Sequence, residues 1–555
     1  VKFLTKHATP HPASAAAPAR PADPTPGSHD QHFTLLGYDH GVYYYLPRAS
    51  GQVVALRVDQ HVEARLIGIV PDENFWMQEY GTKEGVSWRL ARADLLRRQH
   101  AVGIYDPARI RGRGAWWDRD HAVVHVGDRL IINGKEHPLS HPSKYIYERG
   151  LPYPISYERP LQSSQSSRLI ELCKLISWDR PINAYYLAGW VALAPIGGAT
   201  EWRPHVWLTG PADSGKSWVV REIVNRILRG IAIGRQSCTT EPAIRGALSN
   251  GSLPVVFDEA ESKTKTEKLR IDALVGLARA ASTQDGDPIG KANPDGTTRE
   301  ITISSMFLFS SISYPITKSE DMRRITALGI TRDGDRARFS KIQSLAAEVI
   351  TDDFCARLPA RSISMISTIR QNSRIFGSVI SGHLKSNGLG QQYGALLAGA
   401  WSLFSNDIIT TEAAKKWVDE QYAVGSWSEQ SAQQDESDHT QCLSRIMQHI
   451  IKASGSHGMV DISVAELMHI AKADDDIRRE WASDVLGRYG MRGDPDCMVI
   501  SSTHSAIASI LKDTPWERNW MRSLKNIPGA STTEQPVRFG MVRSRGVEIP
   551  YPSAE

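Results

Sequence analysis

Gly210-Pro211-Ala212-Asp213-Ser214-Gly215-Lys216-Ser217 has the residue types and spacing G-x-x-x-x-G-K-[ST] of a loop that wraps a phosphate. The glycines let the backbone turn its N–H groups inward around anionic oxygens. Lys216 is spaced to reach the β- and γ-phosphates of a nucleotide and Ser217 to ligate Mg2+. The dipole of the helix that follows, opened by Trp218, adds to the hold. ATP and Mg2+ are the expected ligands. Kinases, transporters, GTPases and motors all carry such a loop, so it does not say what the phosphate energy drives.

Two carboxylates follow about forty residues on. LPVVFDEAE ends an apolar strand in Asp258 and Glu259. Asp258 is suited to hold Mg2+ through water and Glu259 to polarise the attacking water. Another apolar run, ITISSMFLFSS, ends in Ser310 and Ser311. A hydroxyl there could orient the same water, or serve only the turn. Arg323 and Arg324 come next, in SEDMRRITAL. An arginine at this point in a ring ATPase faces the neighbour's γ-phosphate. The alternative is a pair salt-bridged to Glu320 or Asp321. As a finger, it would complete the site only between subunits.

These residues need a scaffold. HVWLT before the loop reads as a buried strand, and SWVVREIVNRIL after it as an amphipathic helix. Strands and helices alternate to about Ile330, as in a parallel α/β sheet. Upstream, residues 32–158 are mostly β. GVYYYLPRASGQVVALRV reads as a hairpin, and Asn133-Gly134 suits a tight turn. One helix interrupts them, near VSWRLARADLLRRQH. SSRLIELCKLISW and PINAYYLAGWVALA open the 159–335 segment as helices. Residues 336–425 are helical, a lid or bundle, and 426–438 form a polar linker. Residues 439–555 read as helix (HTQCLSRIMQHIIKA), strand (MVDIS), two helices, a strand pair around GDPDC and a last helix (SAIASILKD). That order matches a winged helix.

At 555 residues several domains are expected. Five scattered cysteines form no C-x-x-C pair, so neither a disulfide framework nor a zinc knuckle is indicated, which fits a reducing cytoplasm. His137 and His141 lack a third ligand nearby. The run Tyr185–Ala199 is shorter than the ~20 residues a membrane span needs. Sixty-five basic side chains against 61 acidic leave a net +4, so any basic surface must be local. The chain begins with Val, followed by a Pro/Ala-rich stretch (residues 1–31) that reads as a disordered linker. It is expected to be the downstream part of something longer.

Gln284 to Glu300, QDGDPIGKANPDGTTRE, bears on what the energy drives. It reads as a hairpin between the helix after Asp258-Glu259 and the strand ending in Ser310, with Asp295-Gly296 at the turn. Lys291 sits on or near the tip and Arg299 farther down the other arm. In a ring such hairpins would point into a central channel, where their cations track a phosphate backbone. RIRGRG adds Arg109, Arg111 and Arg113, with glycines that permit close approach to phosphate. Acidic neighbours such as Asp106 and Asp118 could pin the same arginines.

Together WRPHVWLTGPADSGKS, TTEPAIRGALSNGSLPVVFDEAE, the hairpin, SMFLFSSISYPI and DMRRI resemble the AAA+ helicase domain of phage and mobile-element replication proteins. That family often forms the C-terminal half of primase–helicase polypeptides and is related to superfamily III and MCM-like ring helicases. LGYDHGVYYYLP and YDPARIRGRGAWWDRDHAVVHVGDRLIING are similar to the β-rich domain preceding the motor there. WERNWMRSLKNIPGA and VRFGMVRSRGVEIP are similar to the family's C-terminal end. The resemblance covers residues from about 33 onward. It implies a sheet order of 5-1-4-3-2, a β-rich collar, an AAA+ core with a helical lid, and a winged-helix-like C-terminal domain. It further implies a hexameric ring moving on single-stranded or forked DNA, with a primase domain or partner and no membrane. For a sensor 2 arginine, Arg357 and Arg361 in ARLPARS are the candidates. Two other classes stay open: an AAA+ initiator or switch without processive unwinding, and a protein-remodelling ATPase. GKANPDG lacks the aromatic pore residues that protein remodelling favours.

Overall fold

The computed structural model describes residues 31–551 apart from 236–238, 261–263, 284–288, 293–297, 317, 424–437, 456–457, 474, 513 and 515. The proline-rich linker to residue 30, the polar linker 426–437 and the hairpin tip lie outside the described residues. The chain forms two compact units. One comprises residues up to 316 with 321–416, the other 417–555 with 317–320.

The first unit opens with an antiparallel three-stranded sheet, Phe33–Asp39, Val42–Pro47 and Val54–Arg57, under the helix Trp88–Val102. Phe33, Tyr45, Trp76 and Leu95 fill the space between them. The expected hairpin is the second and third of these strands. A four-stranded antiparallel meander follows, from Gly114–Asp118 to Lys135–Pro138. Its last turn is Asn133-Gly134, both at positive φ (51° and 74°), as the sequence predicts.

The centre of the unit is a five-stranded parallel sheet. Its strands are β1 (His205–Thr209), β2 (Ile233–Arg235), β3 (Val255–Phe257), β4 (Phe307–Ser310) and β5 (Ile325–Gly329). They lie in the order β5-β1-β4-β3-β2, all parallel, which is the 5-1-4-3-2 order implied by the resemblance. Trp207, Phe257, Phe307 and Phe309 are fully buried. A parallel sheet covered on both faces demands such unbroken apolar runs. Helices cover it: residues 216–227 after β1, Glu241–Leu248 before β3 and Lys265–Ala281 after it. The helix Asn183–Leu193, which holds the first part of the apolar run Tyr185–Ala199, is buried almost throughout and packs against Asn387–Phe404. No described helix is long and apolar enough to cross a membrane. Four helices from Arg336–Val349 to Asn387–Phe404 follow in the unit, which ends at residue 416 within the helix Thr411–Ala423.

RIRGRG is the seam between meander and sheet. Gly112 N–H donates to Asn250 O (2.7 Å) and Ser252 N–H to Arg113 O (2.9 Å), just before β3. Gly114 sits at φ 129°, and a methyl there would overlap Ser252 Oγ. These glycines therefore serve a close backbone approach within the protein, where the sequence reading offered an approach to phosphate. Gly114→Ala is expected to cost ~2 kcal/mol or more, through overpacking and a φ alanine avoids. A lowered urea midpoint of unfolding checks it; an unchanged midpoint would show the seam is not tight.

The second unit departs from expectation at two places. The helix Asp438–Met447 stops early, and Ile450–Gly455 is a strand paired antiparallel with Gly458–Ser463. Two consecutive β-branched isoleucines with a partner strand outweigh helical spacing. Beyond the expected last helix (Ser505–Ile510) lie a further helix, Trp520–Leu524, and more strands. Ser531–Thr532 and Gly546–Pro550 join Met491–Gly493 and Cys497–Ser501 in one sheet, and Val537–Phe539 pairs with Val542–Ser544 as a hairpin.

Candidate nucleotide site

β1 ends at Thr209, and the phosphate-type loop starts at Gly210. Asp213 and Gly215 both have positive φ (61° and 92°), and Gly215 caps the helix that follows. Such alternation of backbone hand turns successive N–H groups toward one concavity. Lys216 is 8% exposed. Its Nζ donates to Gly210 O (2.6 Å), Pro211 O (2.8 Å) and Ser214 Oγ (3.4 Å), so the ammonium is held over the loop. Pro211, Ala212 and Ser217 are exposed, and Ser217 stands one residue beyond the lysine. The helix then widens into a π-type stretch, Val219–Val224, a device frequent beside functional sites.

A cavity of about 680 Å³ opens from the loop. One wall is Asp213, Ser214, Gly215 and Trp218; the facing wall is the start of helix Arg336–Val349. Trp218 meets Phe339 edge to face, with ring centroids 5.8 Å apart. Arg332 pairs with Asp213 at 3.2 Å, tying the loop to the segment before that helix. Asp333 accepts from Ser177 Oγ (2.6 Å), and this bond, with others, holds its carboxyl below the usual range. A cavity that holds the Trp218 and Phe339 rings and reaches Asp213, Ser214 and Gly215 of the loop suits a flat base beside a phosphate-binding turn. Asp333, Arg336 and Phe339 were missed from sequence. The signal was Asp335 followed by a helical run, since Asp335 caps that helix by accepting from Ala337 and Arg338 N–H.

β3 ends in Asp258 and Glu259. Asp258 N–H donates to Arg235 O (3.1 Å), and its carboxylate accepts from Glu259 N–H (3.0 Å). Glu259 is exposed at φ 57°. A non-glycine residue in the left-handed region costs about 1–3 kcal/mol, and such strain clusters at working sites. Ala260 N–H to Ser310 O (2.7 Å) locks this end of β3 to β4. Phe257 pairs with Phe309, and Leu208 with Ser310. The loop, the two carboxylates and the serines thus share the C-terminal edge of the sheet, the ligand edge of parallel sheets.

The two serines differ. Ser311 Oγ accepts from Trp207 Nε1 (2.8 Å) and donates to Ser313 O, so its hydroxyl serves the core. Among the described residues no such bond holds the Ser310 hydroxyl. His205, on β1, is equally committed. Phe307 N–H donates to its Nδ1 (3.0 Å), and burial pushes its pKa down to about 3, so it stays neutral.

Arg323 and Arg324 are not brought to this edge. They precede β5, whose Ile325 pairs with His205 at the start of β1. They therefore stand about 20 Å along the strands from the loop of their own chain. Arg323 is exposed, its stem beside Gly388. Arg324 is half-buried, its guanidinium 5.9 Å from the Trp202 ring. Asp321, one of the expected partners, pairs with Arg279 at 2.9 Å.

Both sensor 2 candidates are committed elsewhere. Arg361, 4% exposed, donates to Ser402 O, Leu161 O and Asn406 Oδ1. Arg357 donates to Arg159 O and pairs with Asp353. Neither faces the cavity, whereas Arg336 lines it.

The hairpin strands are Ile289–Ala292 and Thr298–Ile301. Lys291 lies directly opposite Arg299 in their register, a correction to the expectation that Arg299 is farther down the arm. The backbone of Thr298–Ile301 passes within 8 Å (Cα to Cα) of Pro107–Arg109, so exposed Arg109 lies alongside. Arg111 is half-buried and engaged within the protein. Its guanidinium stacks on Tyr145 (4.1 Å) and Trp116 (4.9 Å) and donates to Ile110 O (2.9 Å). Arg113 packs its stem on Gly150. Asp106 and Asp118 do not pin this set: Asp106 caps a turn and buried Asp118 accepts from Ser143. His137 and His141 stack edge to face, and the described residues contain no cluster of three metal-ligating side chains.

No protein-family model matches the chain, and no curated protein matches it. Among solved structures, an active helicase described as SCCmec type IV Cch aligns with 13% identity and a TM-score of 0.47, covering 94% of this chain and 93% of that one. The apo A form of the NrS-1 C-terminal region aligns with 11% identity and a TM-score of 0.30, covering 78% and 96%. The strand order, rather than these distant likenesses, defines the fold.

Proposed function

We propose that this chain is an ATP-driven DNA helicase, an AAA+ motor that assembles as a hexameric ring and translocates on single-stranded DNA in phage or mobile-element replication. The observation that carries the reading is the hairpin inserted between β3 and β4 of a P-loop sheet, with Lys291 opposite Arg299 and Arg109 alongside. Two cationic residues opposite each other on a hairpin of the nucleotide sheet, with Arg109 on the neighbouring segment, suit a phosphate backbone.

Lys216 and the loop N–H groups hold the triphosphate, and the Trp218–Phe339 chamber takes the base. Ser217 and Asp258 are the residues that would hold Mg2+, which when bound neutralises phosphate charge. An exposed hydroxyl beside the lysine and a carboxylate at the same sheet edge are the donors such an ion takes. Glu259 accepts the proton of the attacking water, and Ser310 orients that water. Arg323 of the adjacent subunit stabilises charge as the phosphate bond breaks. Each hydrolysis shifts the hairpin and the strand it grips.

Lys291→Ala is expected to keep basal ATPase within about 2-fold, while DNA stimulation and forked-duplex unwinding fall at least ~10-fold. Unwinding at the original rate would remove the channel role. An initiator or switch would bind the fork and hydrolyse ATP without separating strands, so the same assay decides between the two.

A further inference from the structure

We propose that the C-terminal hairpin Val537–Ser544 is a second nucleic-acid site, which grips duplex DNA. Arg538 and Arg543 are direct cross-strand partners in it, and Arg545 follows two residues on. All three are exposed. Like charges placed directly opposite destabilise a strand pair, so the pair is expected where an anion neutralises it. Among the described residues no carboxylate lies within ion-pair distance of Arg538, Arg543 or Arg545. Between residues 517 and 545 there are six Arg and Lys against two Glu. That excess equals the net +4 of the whole chain.

The rest of the unit does not offer this. In helix Asp476–Arg488, the one a winged helix would lay into a groove, the arginines are neutralised nearby. Arg478 pairs with Asp475, Arg479 with Asp476 and Arg488 with Asp484. The turn between Met491–Gly493 and Cys497–Ser501 carries Asp494 and Asp496. The anion-binding face is therefore the hairpin.

Its construction favours a duplex over a single strand. Single strands are held by stacking bases on exposed aromatic rings. The hairpin's one aromatic, Phe539, is 1% exposed. The tip instead presents Met541, 94% exposed, and Val542. A two-stranded ribbon fits a DNA groove, and apolar tips wedge at base steps while arginines reach phosphates. The ribbon is also fixed in place. Ser544 Oγ bonds Ser501 Oγ (2.6 Å), and Ser502 N–H donates to Arg545 O (2.9 Å). Gly487 lies so close to Gly540 that a side chain would strike its backbone nitrogen.

The test uses the full chain without nucleotide and a fluorescein-labelled blunt duplex, with anisotropy followed across a KCl series. The triple variant R538A/R543A/R545A is expected to lose ~100-fold in duplex affinity, and its log–log salt slope to fall by about 2 to 3. R538K/R543K/R545K is expected to keep most of that slope, which separates charge from misfolding. Binding to an oligo-dT single strand is expected to stay the same. Unchanged duplex affinity and slope would overturn the proposal, as would equal losses on duplex and single strand. Loss of polyglutamate binding with duplex binding intact would assign the hairpin to an acidic protein and overturn it too. Lys216→Ala leaves this binding in place, so the site and the motor stand or fall separately.

Discussion

Lys216→Ala is expected to lower ATP turnover at least ~10³-fold while leaving the protein folded. Lys216 lies over the loop with its ammonium bonded to Gly210 O and Pro211 O. In a nearly buried setting a cation at the breaking phosphate bond acts against low screening, so its removal is costly. The structural cost is small. Pro211 is exposed and Gly210 half-buried, so water can satisfy the carbonyls the ammonium leaves. A net loss of about 1 kcal/mol is expected for such bonds. Phosphate release and thermal melting, measured on one preparation, check both halves. Turnover near the original rate would show that the loop does not hold the reacting phosphate.

Arg323→Ala is expected to lose ~10³-fold or more in turnover with nucleotide binding and assembly retained. The argument is geometric. Arg323 stands about 20 Å along the strands from its own loop, too far for a side chain to span. Any role at a reacting phosphate would therefore be at a neighbour's. Arg324→Ala should act differently, because its guanidinium lies by Trp202 and its backbone is tied to His205. Lowered stability is expected there before any specific loss of turnover. Mixing Arg323→Ala with Lys216→Ala protein gives a further check. Each mixed interface of the right hand joins an intact loop to an intact Arg323, so turnover reappears. Failure to recover, in mixtures shown to co-assemble, would end the intersubunit role.

The chemistry of the site was legible because it is written in short stretches. Gly215 before Lys216 encodes a turn that only a few local dihedrals decide. HVWLT, VVF and FLFS announce buried parallel strands by their unbroken apolar character, and Asp258-Glu259 follows directly from where one of them ends. Tight turns such as Asn133-Gly134 are equally local. Each of these rules acts over fewer than about ten residues.

What the sequence left open turned on partners far away in the chain. Ser310 and Ser311 are adjacent and chemically identical, and Trp207, more than a hundred residues earlier, claims one of them. Arg111 looks like a phosphate contact until Tyr145 and Trp116 close over it. Arg361 looks like a sensor until the carbonyls of Leu161 and Ser402 take its guanidinium. Ile450 and Ile451 read as helix until Ile462 and Ser463 pair with them. The sequence by itself determined which groups could do chemistry and on which kind of element each sits. Only the tertiary structure decided which of them remain available, because a side chain's hydrogen bonds and stacking are settled by whatever distant surface packs against it.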